Sequence, residues 1–189
     1  MNSRGPIVIT GFMGCGKTEV AGYLAKRLTG EMLDLDELIT QTTGRTPAQL
    51  INEEGEQAFR VIETRTLDQL LKKRPLGVIA LGGGAWIENQ NRVLIQQSKG
   101  ITVFLDTSFE VCWSRIETSS EDRPLGRTKT EASELYERRR PIYKLANLCV
   151  TPGADDSPDF LASRIQTEIR QQESLVANTP TAFSGKSCD

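Results

Sequence analysis

Short apolar segments alternate with longer amphipathic ones along most of the chain. The apolar segments are rich in β-branched residues and lie at residues 6–10, 31–35, 76–81, 100–105 and 147–151. Between them apolar residues recur at helical spacing, so the pattern predicts buried strands that alternate with helices. Such an alternation is typical of a parallel sheet covered by helices on both faces. Ligands of these sheets bind beyond the carboxyl ends of the strands, and we expect the chemistry of this chain there.

The length and composition predict one domain. The chain has 189 residues, of which 38% are hydrophobic and 25% charged, which is enough apolar material for one core. We place this domain at residues 1–173. Residues 174–189 mix small, polar and helix-breaking residues without periodicity, and they predict a disordered tail.

The charge and the rare side chains exclude several functions. The net charge is −2 and the charges are interspersed, so no broad field attracts nucleic acid or an anionic membrane. The chain lacks histidine, and its four cysteines are far apart, which argues against structural zinc and histidine catalysis. No apolar run is long enough to cross a membrane, and the first motif begins at Gly11, so we expect a cytoplasmic protein.

The segment "GFMGCGKT" directly follows the first predicted strand and precedes the predicted helix "TEVAGYLAKRL". Gly11, Gly16, Lys17 and Thr18 fit the pattern G-x-x-x-x-G-K-[ST] of a P-loop. Its glycines let backbone N–H groups surround phosphate oxygens at a helix N-terminus. Lys17 would reach the β- and γ-phosphates, and the Thr18 hydroxyl would bind Mg²⁺.

Two aspartates end the second predicted strand. Asp34 and Asp36 alternate across its last residues, so both can face the nucleotide edge of the sheet. One carboxylate can hold Mg²⁺ through water while the other accepts a proton from an attacking hydroxyl. The alternative is that Asp36 only caps the helix that follows it.

Three glycines follow the third predicted strand. Gly82, Gly83 and Gly84 expose successive backbone N–H groups that have no side-chain cover. These groups could approach a small polar ligand closely, although a bare glycine turn is the alternative.

Three arginines lie in separate polar segments. Arg60, Arg123 and Arg139 could each bind a carboxylate or phosphate with two parallel hydrogen bonds, and their convergence would imply an acidic substrate. Surface salt bridges are the alternative role. Residues 116–133 around Arg123 are polar and lack a hydrophobic period, which is typical of a mobile lid over bound phosphates.

The order and spacing of six motifs resemble the shikimate kinase family. These motifs are "GFMGCGKT", "DLDELI", "GEQAFRVIE", "LGGGA", "DRPL" and "YERRRPIY", and the resemblance covers roughly residues 5–170. It implies an α/β fold of the P-loop NTPase, nucleoside-monophosphate-kinase-like type, with three layers and a five-stranded parallel sheet in the order 2-3-1-4-5. It also implies a magnesium-dependent monomer that transfers a phosphoryl group from ATP to the 3-hydroxyl of shikimate, a step toward aromatic amino acids.

The resemblance implies a role for individual residues in binding shikimate. Asp36 would hold the shikimate hydroxyls and act as the base. Arg60 and Arg139 would bind the shikimate carboxylate, and residues 82–84 would line the same pocket. Glu63, one helical turn beyond Arg60, would orient that arginine.

The resemblance also implies how nucleotide and metal are bound. Asp34 would join Thr18 in positioning magnesium, and Arg123 would contact the transferring phosphate. Arg115 and Pro158 would enclose adenine. The residues that would contact ATP are Gly14, Cys15, Gly16, Lys17, Thr18, Arg115, Arg123 and Pro158.

Cys15 departs from the family pattern, which commonly has serine at this position. The position acts mainly through its backbone N–H, so function should survive the change. The thiol lies beside Lys17 and a helix N-terminus, which predicts a reactive cysteine.

Two other functions stay open. A kinase of the same fold for another polyol acid, such as gluconate, would need its own motif in place of "GEQAFR" and "RRRPIY". A catalytically silent domain that only binds ligand is the second, although the intact Lys17, Asp34, Asp36 and Arg123 argue against it.

Overall fold

A computed structural model of the chain describes residues 5–73, 77–119 and 124–177. Three features of the sequence analysis lie outside these residues in whole or in part. They are Arg123 in the predicted lid, Leu76 at the start of the third predicted strand, and most of the predicted tail.

Each strand in the described residues is followed by one to three helices, in agreement with the alternation that the hydrophobic pattern predicts. The strands are β1 Ile7–Thr10, β2 Glu31–Asp34, β3 Gly77–Ala80, β4 Ile101–Leu105 and β5 Leu148–Val150. The helices are α1 Lys17–Arg27, α2 Leu35–Thr43, α3 Pro47–Glu54, α4 Glu56–Lys72, α5 Asn89–Gln97, α6 Phe109–Thr118, α7 Lys129–Tyr143 and α8 Pro158–Ala177. A single turn of 3₁₀-helix, Ala85–Ile87, joins β3 to α5.

The strands form a parallel sheet in the order β2-β3-β1-β4-β5, which confirms the predicted topology. Strand β1 lies in the middle and is buried along its whole length. In the neighbouring ladders Ile9 and Asp34 both pair with Ala80 of β3. The carboxyl ends of β1, β2 and β3 therefore lie at one edge of the sheet, and the three chemistry-bearing segments leave the sheet side by side.

The boundary between β2 and α2 differs from the prediction. Strand β2 ends at Asp34, whose carboxylate accepts hydrogen bonds from the N–H groups of Asp36 (2.9 Å) and Glu37 (3.4 Å) and so caps α2. The two aspartates do not alternate along a strand, because Asp36 lies in the first turn of the helix. The alternative in which Asp36 caps the helix is also wrong, since Asp34 is the cap.

The predicted lid segment is shorter than its polar sequence suggests. Residues 116–118 complete α6, and residues 129–133 form the first turns of α7. Helix α7 begins at a capping box in which Thr128 and Glu131 exchange side-chain to backbone hydrogen bonds, both at 3.2 Å. Only five of its 15 residues are buried, and one of them is Arg139, so the helix lacks the strong apolar period by which it could have been recognised.

Helix α1 continues directly from the P-loop and packs on the sheet. Gly16 has a φ of 94°, a left-handed conformation that lets the chain turn from the loop into the helix. The other side of α1 lies against α8, where Arg27 binds Asp159 with two hydrogen bonds of 2.9 and 2.8 Å. Among the described residues, no helix is both long and apolar enough to span a membrane.

The buried face of β3 should dominate the stability of the fold. Ile79 is fully buried between β1 and β2, so Ile79→Ala leaves a cavity that should lower the free energy of unfolding by about 3 kcal/mol. Urea denaturation followed by circular dichroism measures this change. Val61→Ala is the control, because Val61 is 66% exposed and its truncation should change stability by less than about 0.5 kcal/mol. An equal loss in both variants would contradict this account of the core.

Candidate active site

The P-loop curves around the lysine that the motif places in it. Nζ of Lys17 donates hydrogen bonds to the carbonyls of Gly11 (3.0 Å) and Phe12 (2.8 Å) and lies 3.7 Å from Sγ of Cys15. The ammonium group is therefore held at the mouth of the loop, beside the N-terminus of α1. A loop of backbone N–H groups with a lysine at its mouth is suited to bind a polyphosphate.

Thr18 and Asp34 meet directly beside the P-loop. The Thr18 hydroxyl donates a hydrogen bond of 3.0 Å to Oδ2 of Asp34, and Oδ1 of the same carboxylate caps α2. Both oxygens of Asp34 are thus oriented by neighbouring groups. A hydroxyl and a carboxylate at this separation are oxygen donors of the kind that Mg²⁺ prefers.

Cys15 is buried, contrary to the accessible position that a reactive thiol requires. Its side chain is 3% exposed and belongs to the hydrophobic core beneath the P-loop. Its carbonyl accepts a hydrogen bond of 3.1 Å from the buried Thr107 hydroxyl, which fixes the peptide that joins Cys15 to Gly16. Burial closes this thiol to alkylating reagents.

A cavity of about 470 Å³ opens beside the P-loop at the same edge of the sheet. Its walls come from the P-loop, helices α2, α3, α4 and α7, the segment after β3 and the residues before α7. The lining residues that the sequence analysis singled out for substrate are Asp36, Arg60, Gly82, Gly83, Gly84 and Arg139, together with Glu63. The structure therefore brings these residues together although they lie on four separate segments.

Arg60 is held by the buried carboxylate of Glu63. Nη1 of Arg60 donates a hydrogen bond of 2.7 Å to Oε2 of Glu63, and the other oxygen of Glu63 has no hydrogen-bond partner among the described residues. The pKa of Glu63 is raised to about 7, mainly by burial and to a smaller extent by Asp36 and Glu88, although Arg60 opposes the rise. The Arg60 guanidinium is thereby anchored on one side, and its other side faces the cavity.

Arg139 is anchored to the glycine segment. Its Nη1 donates a hydrogen bond of 3.3 Å to the Gly83 carbonyl, and the Tyr143 hydroxyl donates to the same oxygen. Arg139 is 8% exposed and reaches the cavity from α7. Two residues of α7 therefore fix the position of the glycine segment relative to this helix.

A β-carbon would collide with a neighbouring side chain at two of the three glycines. A β-carbon on Gly82 would lie 2.6 Å from Oδ1 of Asp36, and one on Gly84 would overlap the Arg60 guanidinium. One on Gly83 would lie 3.4 Å from the N–H nitrogen of Met13 in the P-loop. An added side chain would therefore displace the Asp36 carboxylate at Gly82 and the Arg60 guanidinium at Gly84, whereas Gly83 is in ordinary contact with the P-loop backbone.

Arg115 and Pro158 lie on elements that flank the P-loop. Nη1 of Arg115, in α6, donates a hydrogen bond of 3.2 Å to the Gly14 carbonyl, so this side chain covers the loop from outside. Pro158 is the first residue of α8. Their role in enclosing adenine stays a prediction. The contact of Arg123 with the transferring phosphate also stays a prediction, because Arg123 lies outside the described residues.

Sequence reasoning missed several walls of the cavity. Met13, Phe59, Pro124 and Leu125 add apolar surface to it, and Thr46 and Pro47 at the start of α3 close another side. It also missed Glu56, which lies one turn before Arg60 and whose carboxylate binds that arginine at 3.0 Å. The i, i+4 spacing of a glutamate and an arginine on one helix was the available signal for Glu56. The apolar residues carry no local signal of a role in a pocket.

The arrangement combines two binding properties in adjacent spaces. The P-loop is suited to hold a polyphosphate, and the cavity beside it joins two guanidinium groups to the carboxylate of Asp36. Such a cavity is suited to bind a small carboxylic acid that also carries hydroxyl groups. Because Met13 of the P-loop and Asp36 line the same cavity, a hydroxyl bound at Asp36 would lie beside the phosphate-binding loop.

The sequence matches a known family model over most of its length. The model is that of shikimate kinase, and it matches residues 13–170. The shikimate kinase of Cereibacter sphaeroides is 37% identical over 173 residues, which cover 90% of this chain and 85% of that protein.

Solved structures give the same result. The shikimate kinase of Acinetobacter baumannii, solved in complex with shikimate, superposes with a TM-score of 0.82 at 33% identity and covers 90% of this chain and 95% of its own. The shikimate kinase of Aquifex aeolicus superposes with a TM-score of 0.74 at 30% identity, covering 89% of this chain and 98% of its own. Motifs, topology and both kinds of similarity agree, and the chain belongs to the shikimate kinase family.

Proposed function

We propose that this protein phosphorylates the 3-hydroxyl of shikimate with ATP, and that the residues around the 470 Å³ cavity bind and orient the acceptor. The observation that carries the proposal is the convergence of Arg60, Arg139 and Asp36 on one cavity that borders the P-loop. Membership of the shikimate kinase family and the relative solved with shikimate bound support the choice of substrate.

The acid end of shikimate would bind the two arginines. Arg60 and Arg139 offer guanidinium N–H groups on neighbouring walls, and Glu63 and Gly83 hold them in place. The hydroxyl groups of the ring would then lie toward Asp36 and the N–H groups of the glycine segment. This pose turns the 3-hydroxyl toward the P-loop.

ATP would place its phosphates in the P-loop. Backbone N–H groups of Gly14, Cys15 and Gly16 would surround the β-phosphate, and Lys17 would leave the carbonyls that it now contacts to reach the β- and γ-oxygens. Thr18 and Asp34 would hold Mg²⁺, whose charge neutralises phosphate oxygens when it is bound. The described ranges contain no group of three acidic or cysteine side chains that could hold a metal ion, so most ligands of this ion would be water and phosphate oxygens.

The transfer needs little covalent chemistry from the protein. The oxygen of the 3-hydroxyl attacks the γ-phosphorus, the bond from that phosphorus to the bridging oxygen of ADP breaks, and the hydroxyl proton passes to the Asp36 carboxylate. Lys17 and the loop N–H groups stabilise the negative charge on the transferring oxygens. Pro124 and Leu125 cover the cavity, and closure of the segment that contains them would exclude water from the reaction.

The two alternative functions predict a different acceptor in one case and no phosphoryl transfer in the other. A gluconate-type kinase would use the same P-loop with an open-chain acid, and a silent domain would bind ligands without turnover. The site favours neither, because Lys17, Asp34 and Asp36 are in place and the cavity carries two arginines close together.

Turnover with shikimate tests the proposal directly. Purified protein with ATP and magnesium should produce ADP rapidly with shikimate and at the background rate with quinate or gluconate, because the two arginines and Asp36 fit one arrangement of carboxylate and hydroxyls. A coupled assay measures ADP, and mass spectrometry of the product locates the phosphate. Equal rates with gluconate would support the first alternative, and no rate with any acid would support the silent domain.

Loss of Arg60 should weaken shikimate binding selectively. Arg60→Ala removes one of the two cations for the substrate carboxylate, a change that typically costs about 2–4 kcal/mol, or roughly a 30- to 1000-fold rise in Kd. Calorimetry should show this rise for shikimate while the Kd for ATP stays nearly constant. Arg65→Ala is the matched control, because Arg65 lies on the same helix with an exposed side chain. If both ligands lost affinity together, Arg60 would not be a substrate-specific residue.

Gly84→Ala gives an independent test of the position of Arg60 in the shikimate site. The added methyl group would overlap the Arg60 guanidinium and displace it, so shikimate affinity should fall without loss of the arginine itself. Gly22→Ala is the control, since a β-carbon on Gly22 in α1 meets nothing within 4 Å.

Glu63 should make stability depend on pH in the neutral range. Its pKa rises from the ordinary 4.5 in the unfolded chain to about 7 in the folded one, mainly through burial. The folded state therefore binds the extra proton, and its stabilisation is complete below about pH 4.5 and is lost as the pH rises through 7. Relative to Glu63→Gln, the wild type should lose roughly 3 kcal/mol of unfolding free energy between pH 4.5 and 8. Urea titrations of both proteins across this range measure the difference, and parallel curves would show that the pKa of Glu63 is unchanged by folding.

A further inference from the structure

Glu56 presents one carboxylate oxygen to both arginines of the cavity. It is the first residue of α4 and follows Gly55, which separates this helix from α3. Its Oε1 lies 3.0 Å from Nη2 of Arg60 and 3.8 Å from Nη2 of Arg139. A single acidic group therefore bridges the two guanidinium groups from different helices.

The two arginines have other anchors. Nη1 of Arg60 binds Glu63 at 2.7 Å, and Nη1 of Arg139 binds the Gly83 carbonyl at 3.3 Å. In both side chains Glu56 contacts the second terminal nitrogen, Nη2. Its contacts thus involve N–H groups that are not needed to hold the arginines in place.

The burial of the three side chains is unequal. The Arg60 and Arg139 side chains are 14% and 10% exposed, whereas that of Glu56 is 44% exposed. The arginines are therefore fixed parts of the wall. Glu56 is able to turn into solvent, because it belongs to the first turn of its helix and lies at the rim.

We propose that Glu56 is an internal carboxylate which partly occupies the binding site for the substrate carboxylate and which the substrate has to replace. This inference rests on the proposed function, since it takes Arg60 and Arg139 as the groups that bind the acid end of shikimate. Two carboxylates cannot share the Nη2 atoms without repulsion, so arrival of the substrate drives Glu56 toward water. Each binding event then replaces the ion pairs of Glu56 with those of the substrate carboxylate. The affinity for shikimate therefore depends on the difference in free energy between the two sets of ion pairs.

The inference predicts a gain of affinity on removal of a charge. Glu56→Gln leaves Arg60 and Arg139 in position but removes the competing anion, so the KM for shikimate should fall roughly three- to tenfold. The substrate carboxylate is remote from the transferred phosphoryl group and binds equally in the ground state and the transition state, so kcat should not change. The KM for ATP should also stay constant, because Glu56 is not part of the P-loop.

Steady-state kinetics with shikimate and ATP varied in turn test the inference on the full chain. Glu168→Gln is the matched control, because Glu168 forms an i, i+4 pair with Arg164 at 3.1 Å and has similar exposure. This pair lies on α8, which packs against α1 and the edge strand β5. Glu56→Asp keeps the charge on a shorter side chain and should lie between wild type and Glu56→Gln. Calorimetric titration with shikimate alone gives Kd without turnover.

The outcomes separate the two proposals. A lower KM and Kd for shikimate in Glu56→Gln alone, with kcat and the KM for ATP unchanged, supports the inference. An unchanged or higher Kd for shikimate overturns it and assigns Glu56 to positioning the arginines instead, while the proposed function stands because the wild type still turns over shikimate. If the wild type does not phosphorylate shikimate, the proposed function fails and the inference fails with it.

Discussion

The site depends on the pairing of β1 with β3 in the middle of the sheet. Ile9 pairs with Ala80, and the N–H of Leu81 donates a hydrogen bond of 3.0 Å to the Ile9 carbonyl just beyond the end of β3. This pairing brings the first residues of the P-loop and of the glycine segment side by side. On its other side Ala80 pairs with Asp34 of β2. The phosphate loop, the glycine segment and the capping aspartate therefore leave the sheet next to one another. Side-chain chemistry from distant parts of the sequence then has one place to meet.

Around that edge the charged groups are arranged in layers of decreasing burial. Glu63 lies deepest and anchors Arg60, the two arginines form the wall, and Glu56 lies outermost at the rim. The buried carboxylate holds a cation in a fixed position, whereas the exposed one contacts the same cation from solvent. The two glutamates therefore have different effects, because the desolvation of the carboxylate is large for the buried Glu63 and small for the exposed Glu56.

The hydrophobic pattern and the motifs were enough to predict the sheet, its helices and the P-loop. Each strand is a short apolar segment, and the family resemblance supplied the strand order that the structure confirms. The boundary at Asp34 was wrong, because a side chain that can cap a helix ends a strand one residue earlier than hydrophobicity suggests. Helix α7 was underestimated for a different reason, since few of its residues are buried and one of these, Arg139, is charged, which weakens the apolar period.

The apolar residues that line the cavity were harder to predict than the polar ones. Arg60, Arg139 and Asp36 stand out as residue types, but Met13 and Leu125 line the cavity only because the chain brings them there. The glycine segment was recognised from composition. The close approach of Asp36 to Gly82 and of Arg60 to Gly84 could be seen only in the coordinates.

The fixed end of α7 has a mechanical consequence. Tyr143 is buried, stacks on Phe104 of β4 at 5.2 Å and binds the Gly83 carbonyl, so the carboxyl end of this 15-residue helix is attached to the sheet and to the glycine segment. The amino end, about 20 Å away, joins the covering segment that contains Leu125. Tyr136, two turns earlier, donates a hydrogen bond of 3.0 Å to the Thr107 carbonyl, so α7 is held at two points along its length. Arg139 lies between these two points and therefore keeps a fixed position in the wall of the cavity.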